Sequence, residues 1–262
     1  MSAFKSFEIA GWSEAGRASR YDKVAGRLAR IAVAPMLDAL DVHAGERFLD
    51  VATGPGHLAG AAAERGARAV GLDVSADMLM LARERYPEVE LIEGDAEALP
   101  FQNDSFDAAA AAFVLHHVPE PQRVAAELQR VAQRVAVAAW SPSEDQPLFA
   151  LVALAFEDAG AGPPADLPRG PSRDDVGRQE FLTSLLPGAR TFTVCSEHEF
   201  ADAPTLFDGF LEGTVNTREW FRAQAPDVQA AIRETFASRL APYRRGRVIA
   251  LPVSARIAVA IR

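Results

Sequence analysis

The chemistry of this chain is concentrated in one run, Leu49-Asp50-Val51-Ala52-Thr53-Gly54-Pro55-Gly56, and in a second carboxylate further on, Asp73. Glycines at a strand-to-helix turn let the backbone approach a ligand closely. The helix that follows offers free N–H groups at its start. An acidic residue at the end of the next strand can accept hydrogen bonds from two ribose hydroxyls. Together these features point to a nucleoside cofactor. Gly54, Gly56 and Ala59 also satisfy the spacing of a dinucleotide fingerprint. Two carboxylates favour S-adenosylmethionine instead. Asp50, just before the glycines, would repel a pyrophosphate but suits the amino group and bound water of an amino-acid tail. Asp95, in Gly94-Asp95-Ala96-Glu97, can accept from an adenine amino group.

A second candidate is the pair His116-His117, which follows an apolar stretch and falls where open α/β sheets bind ligands. An unperturbed imidazole titrates near pH 6.5, about the range a general base needs. His117 is the candidate base, and His116 reads as part of the turn that ends the strand. The other histidines, His43, His57 and His198, form no HExxH pattern and no Cys/His cluster, so no metal site is expected. The lone cysteine, Cys195, has strand-like flanks and reads as a buried structural thiol; a single cysteine also fits a reducing compartment.

These residues need a scaffold. Residues 47–52 read as a short apolar strand, 57–65 as an alanine-rich helix ending at Gly66, and 69–73 as a second strand. Ser75 caps a helix through about Arg85. Strands follow at 89–93 and 106–114, then a helix over 119–132 and a fifth strand over 134–140. The 106–114 segment is nearly all alanine and apolar, as expected of a strand buried on both faces. Strand and helix alternating with short connections argue for a parallel, doubly wound sheet. Residues 20–40 have helical spacing and read as one or two amphipathic helices. Beyond Trp140, helices are expected near 147–158 and 174–186, a strand over 190–200, helix over 203–241 broken at Pro226, and a closing pair of strands at 247–251 and 255–261.

With 262 residues, 49% of them hydrophobic, the chain can build one large α/β domain with a smaller cap. The net charge of −9 disfavours a nucleic-acid partner. No segment approaches the roughly 18 uninterrupted apolar residues of a membrane span, and the first residues lack the apolar run of a signal peptide. A cytoplasmic protein, monomer or homodimer, is expected.

The segments LDVATGPG, GLDVS, EGDAEALPF, SFDAAAAAFVLHHVPEP and the terminal ARIAVAIR resemble the class I S-adenosylmethionine-dependent methyltransferases of the small-molecule, ubiquinone/menaquinone-biosynthesis-like group. The resemblance implies a Rossmann-like, mostly parallel seven-stranded sheet with N-terminal helices and a helical lid. It implies that Asp50, Gly54 and Gly56 line the methionine and ribose end of the cofactor, that Asp73 holds the ribose with Met78 nearby, that Asp95 and Ala96 contact adenine, and that Ala52 and Val74 also bind the cofactor. Phe113 would close the methionine side and Tyr21 would cover the cofactor from the N-terminal helices. One departure is the Lys/Arg-Pro-Gly-Gly turn usual before the fifth strand. Here Arg130-Val131-Ala132-Gln133-Arg134 runs straight through, and the start of the strand is open.

The organisation expected is an N-terminal cap over 1–40, a cofactor-binding core over 41–140, lid segments over 141–189 and 201–246, and closing strands of the core sheet over 190–200 and 247–262. The expected activity is methyl transfer by in-line displacement to a small, largely apolar molecule. The alternative is a protein that binds S-adenosylmethionine, or uses it, without methylating. Of the aromatics at or after the fifth strand (Trp140, Phe149, Phe156, Phe200, Phe207, Phe210, Trp220 and Phe221), most are expected to pack the cap and some to line a substrate pocket.

Overall fold

The computed structural model describes residues 2–262. Five strands lie parallel: β1 (Arg47–Val51), β2 (Arg68–Asp73), β3 (Glu90–Glu93), β4 (Phe106–Ala112) and β5 (Ala132–Trp140). Two long strands complete the sheet, β6 (Arg190–Phe200) and β8 (Val248–Ile261), with β8 antiparallel to both β5 and β6. The strand order is β3-β2-β1-β4-β5-β8-β6. The direction of winding reverses between β1 and β4, and a crevice opens there at the strands' carboxyl ends.

The alanines of β4 explain how its neighbours pack. Ala108, Ala109, Ala110 and Ala111 are all buried, two on each face of the central strand. Small side chains let helices approach both faces of the sheet. One face carries Phe48, Ala136 and Ala138, and the other carries Leu49, Leu72, Val135 and Val137.

Where the sheet departs from expectation, local chemistry explains it. An eighth strand exists, the two-residue β7 (Arg244–Arg245), which pairs with the start of β8. Gly246, with φ of +62°, and Arg247 form a two-residue turn that folds the chain back on itself. The closing pair of strands is one continuous strand, uninterrupted at Pro252. The amide of Ser254 points away from β6, toward the Gln146 side chain, which it meets at 2.5 Å. Pro252, two residues earlier, faces the same way, beyond the last β5 partner, Trp140 opposite Ala255. Its missing N–H therefore removes no ladder bond. Cys195 is exposed rather than buried, because β6 is the edge strand and Cys195 lies on its open face.

The helix Pro121–Val131 passes into β5 at Ala132 with no intervening turn. Arg134 fixes the start of β5: its guanidinium donates to the carbonyls of Leu40 and Asp41 at 2.8 and 2.9 Å and pairs with Glu46.

Helices cover the carboxyl edge of the sheet. The first, α1 (Ala3–Trp12), is capped by Ser2. Residues Arg17–Ala39 form a nearly continuous helical run, interrupted by a π-helical turn at Asp22–Gly26 and a 3-10 turn at Arg30–Ala32. After β5 come helices Pro147–Asp158, Arg173–Val176, Gln179–Leu185, Ala203–Glu212, Asn216–Arg222 and Pro226–Arg239. Pro226 opens its helix at the first turn, where its missing N–H is harmless. Among the described residues no helix is long and apolar enough to cross a membrane, and no group of His, Cys, Asp and Glu could hold a metal ion.

Candidate active site

Two cavities lie over the carboxyl edge of the sheet. The first, partly open to solvent, is framed by the ends of the central strands. Ala52 follows β1, Asp73 ends β2, Asp95 and Ala96 follow β3, and Phe113 follows β4. Ala52 and Phe113 both adopt left-handed backbone, with φ of +57° and +60°. A side chain held there costs on the order of 1–3 kcal/mol, and such strain clusters at functional sites. The structure keeps it at the ends of two adjacent central strands that line one cavity.

Of the residues singled out in the sequence, Tyr21, Ala52, Gly54, Asp73, Val74, Met78, Asp95, Ala96, Phe113 and His117 all line this cavity. Asp50 and Gly56 do not. Asp50 is 2% exposed and turned beneath the glycine loop. Its Oδ2 accepts from the Thr53 hydroxyl at 2.6 Å and from the Ala59 amide at 3.0 Å. It thus caps the helix His57–Glu64, whose N-cap, Gly56, has no side chain to do so. Gly56 has φ of +83°, and a Cβ there would stand 3.0 Å from both Ala82 and Tyr86. Both residues shape the loop from below. At Gly54, by contrast, a Cβ would meet nothing within 4 Å.

Asp73 is 8% exposed. Its Oδ2 accepts from the Gly54 amide at 2.8 Å and its Oδ1 from the Ser75 amide at 2.9 Å. Burial raises its pKa, and the amide hydrogen bonds oppose the rise. Each oxygen keeps a lone pair for a ligand hydroxyl.

Burial likewise pushes the Asp50 carboxyl up to about 7, against the bonds from Thr53 and Ala59. A carboxyl raised on folding adds stability that is fully present below its unfolded value, about 3.9, and is lost as pH rises through the folded value. Both accepted bonds fall on one oxygen, which an amide carbonyl can replace. Asp50→Asn should therefore keep the loop and flatten the fall of stability between about pH 4 and pH 7. Thermal melts of the two proteins across that range check this; an equally steep fall in the variant refutes the assignment.

The N-terminal helices supply the other wall. Lys5, Glu8, Ile9 and Trp12, all on α1, line the cavity. Lys5 pairs with both Asp95 and Glu97. The Ser75 hydroxyl donates to the Trp12 carbonyl at 2.8 Å, and Asp77 accepts from the Ala18 amide at 2.8 Å, so this wall is tied to the helix after β2. Arg17, fully buried, stacks its guanidinium 4.8 Å from the Trp12 ring and donates to the Thr214 carbonyl. Tyr21 meets Trp12 edge-on at 5.5 Å, immediately before the π-helical turn.

Glu8 is the site residue that the sequence did not disclose. It is 4% exposed, and its Oε2 lies 2.8 Å from His117 Nδ1 and 3.0 Å from Trp12 Nε1. The carboxylate fixes the imidazole by one nitrogen, a standard way to orient a base whose other nitrogen works. The signal was present: Phe4, Glu8 and Trp12 recur at four-residue spacing, which puts a carboxylate on an apolar helix face.

The second cavity lies under the helices that follow β5. Trp140, Phe149, Phe156, Phe210 and Trp220 are among its lining, whereas Phe200, Phe207 and Phe221 are packed away from it. The two cavities share Glu8, Ala25, His117, Trp140 and Gly213. His117 thus stands in the partition between them.

Residues 49–138 match the model of a methyltransferase domain. A demethylmenaquinone methyltransferase of Renibacterium salmoninarum is 42% identical over 98 residues, which are 37% of this chain and 41% of that one. A ubiquinone/menaquinone biosynthesis C-methyltransferase of Bradyrhizobium diazoefficiens is 39% identical over 130 residues, 44% of this chain and 51% of that one. The chain thus spans 41% and 51% of the length of these curated relatives. Among solved structures, a provisionally assigned methyltransferase of Bacillus halodurans superposes with a TM-score of 0.54 at 21% identity, covering 87% of this chain and 97% of that one. The YcgJ protein of Bacillus subtilis gives 0.53 at 16% identity, covering 88% and 97%. These two establish the Rossmann-like fold. The matched stretch runs from Leu49 in β1 to Ala138 in β5, with the glycine loop and His117. It excludes α1 and everything after β5, so Glu8 and most of the second cavity lie outside it.

Proposed function

We propose that this chain transfers the methyl group of S-adenosylmethionine to a small, largely apolar molecule. The observation that carries the reading is the pair of cavities joined at His117. The first is bounded by a strained glycine loop and a buried ribose-type carboxylate, and the second is lined mainly by apolar and aromatic side chains. A donor in one and an acceptor in the other meet at the partition.

The residues present fit the donor. Asp73 has free lone pairs for two hydroxyls, Gly54 leaves open space for close approach, and Asp95 and Ala96 offer a polar edge for a base. Ala52 and Phe113 bound the opposite end, with Met78 and Val74 packing between and Tyr21 above. When bound, S-adenosylmethionine supplies an activated methyl on a sulfonium, which leaves as S-adenosylhomocysteine when the acceptor's lone pair forms the new bond. The protein's own work is alignment and exclusion of water, which the N-terminal helices and the post-β5 helices do by covering the sheet edge. For a protic acceptor, His117 takes the released proton, held in register by Glu8 through Nδ1.

The names of the curated relatives place quinone-type rings among their acceptors, and the aromatic lining of the second cavity suits such a ring. The net charge of −9 argues against a nucleic-acid acceptor. The test is calorimetry with S-adenosylhomocysteine, followed by a screen for methyl transfer. Binding in the micromolar range together with methylation of an apolar small molecule is expected. Absence of binding, or a preference for tRNA or protein over every small acceptor, would overturn the reading.

A further inference from the structure

The second cavity is lined mainly by apolar side chains, and among its polar residues two buried groups are unsatisfied. Gln146 is fully buried, its Oε1 takes the Ser254 amide, and its Nε2 has no partner. His116 Nδ1 is also buried without a partner. Arg173 lines the same cavity and acts on His116 through space: its guanidinium stacks 3.6 Å from the centre of the Phe149 ring, with Nε and Nη2 held by Asp174 and Nη2 also by the Ser143 hydroxyl. Its Nη1 makes no hydrogen bond among the described residues. All three side chains line the cavity. A buried donor left unpaired costs about 1–3 kcal/mol, so such a group in a cavity calls for a ligand atom or water.

We propose that these groups bind the anionic oxygen of an aromatic acid, a carboxylate on a flat apolar ring, so that the second cavity selects apolar acids over neutral rings of the same shape. The chemistry offered is two donors, Gln146 Nε2 and Arg173 Nη1, one of them cationic. The neighbouring His116, held neutral by burial and by the adjacent His117 and Arg173, adds a third polar atom without a negative charge. Asp174 is paired with Arg173, and Glu8 is hydrogen-bonded to His117 and Trp12 at the partition with the first cavity. Arg169, a further cavity residue, forms no ion pair among the described residues and adds positive field. The ring itself would lie among Trp140, Phe149, Phe210 and Trp220. Gln146, Phe149, Arg169 and Arg173 all fall outside residues 49–138, so this selectivity belongs to the chain's own lid rather than to the shared domain. The inference rests on reading the second cavity as the acceptor site, but binding can be measured without any methyl transfer.

The experiment is calorimetry of the full chain with 2-naphthoate and with its neutral analogue 2-naphthylmethanol. Naphthoate should bind about tenfold or more tightly, as expected for charge-assisted hydrogen bonds. Gln146→Glu keeps the oxygen that holds Ser254 and replaces the free donor with a carboxylate. Arg173→Met keeps the stacking length and removes the charge. Each should bring the ratio of affinities toward one while leaving naphthylmethanol binding nearly unchanged. Equal affinities in the unsubstituted protein, no binding of naphthoate at millimolar concentration, or a preference for naphthoate that survives both substitutions would overturn the proposal. Failure of S-adenosylhomocysteine to bind would instead count against the first cavity's reading and leave this ratio interpretable.

Discussion

His117→Ala is expected to reduce turnover by about 10²–10⁴-fold for an acceptor that must lose a proton, with affinity for S-adenosylhomocysteine unchanged. His117 stands in the partition between the two cavities, and its Nδ1 is committed to Glu8 at 2.8 Å. Nε2 is thereby the nitrogen left to work. Glu8→Ala removes the acceptor from both His117 and Trp12, so kcat should fall although the imidazole remains. Glu8→Gln retains one side-chain oxygen at the same place, and should restore much of the lost rate. That rescue separates a positioning role from mere packing. A fall of less than tenfold in His117→Ala would mean that alignment alone drives the reaction. For an acceptor already anionic, the same small effect is expected, so the measurement is made with an acceptor of high pKa.

The parts of this site legible in the sequence were those built by local rules. The glycine loop, the carboxylate ending β2 and the Gly-Asp turn after β3 sit at strand ends, and alternation alone places strand ends on one edge of a parallel sheet. Nearly all of them line one cavity. Asp50 shows the limit of that logic. Its position beside the glycines reads as a ligand contact, but a strand alternates its faces, and Asp50 points beneath the loop to cap a helix. Glu8 shows a different limit. The pairing with His117 joins residues 109 apart in sequence, and the spacing that puts Glu8 on an apolar helix face does not say which side chain it meets. The continuous β8 depended on knowing that β5 ends opposite Ala255, which is a tertiary fact that decides whether Pro252 breaks a strand. The edge position of β6, and with it the exposure of Cys195, is of the same kind.

Asp73→Ala should weaken S-adenosylhomocysteine binding by one to two orders of magnitude, because a hydrogen bond to a charged group contributes roughly 1.5–3 kcal/mol. The carboxylate does two things here, and the experiment must tell them apart. It holds the loop, through Gly54 at 2.8 Å and Ser75 at 2.9 Å, and it presents its remaining lone pairs to the cavity. Asp73→Asn keeps one oxygen, enough to hold one of the two amides, and should fall between the native protein and the alanine variant. Adenosine supplies the discriminating measurement, since it carries the ribose and the base but no amino-acid tail. If Asp73 binds the ribose, adenosine and S-adenosylhomocysteine should lose affinity by the same factor. If Asp73 acts only by shaping the glycine loop, the loss should be greater for the ligand whose tail reaches past Ala52 and Gly54. Unchanged affinity for both ligands, with the melting temperature intact, would remove Asp73 from the site. Because burial already raises the pKa of this carboxyl, the cavity holds its charge at a cost, and a pair of hydroxyl donors is the kind of partner that offsets it.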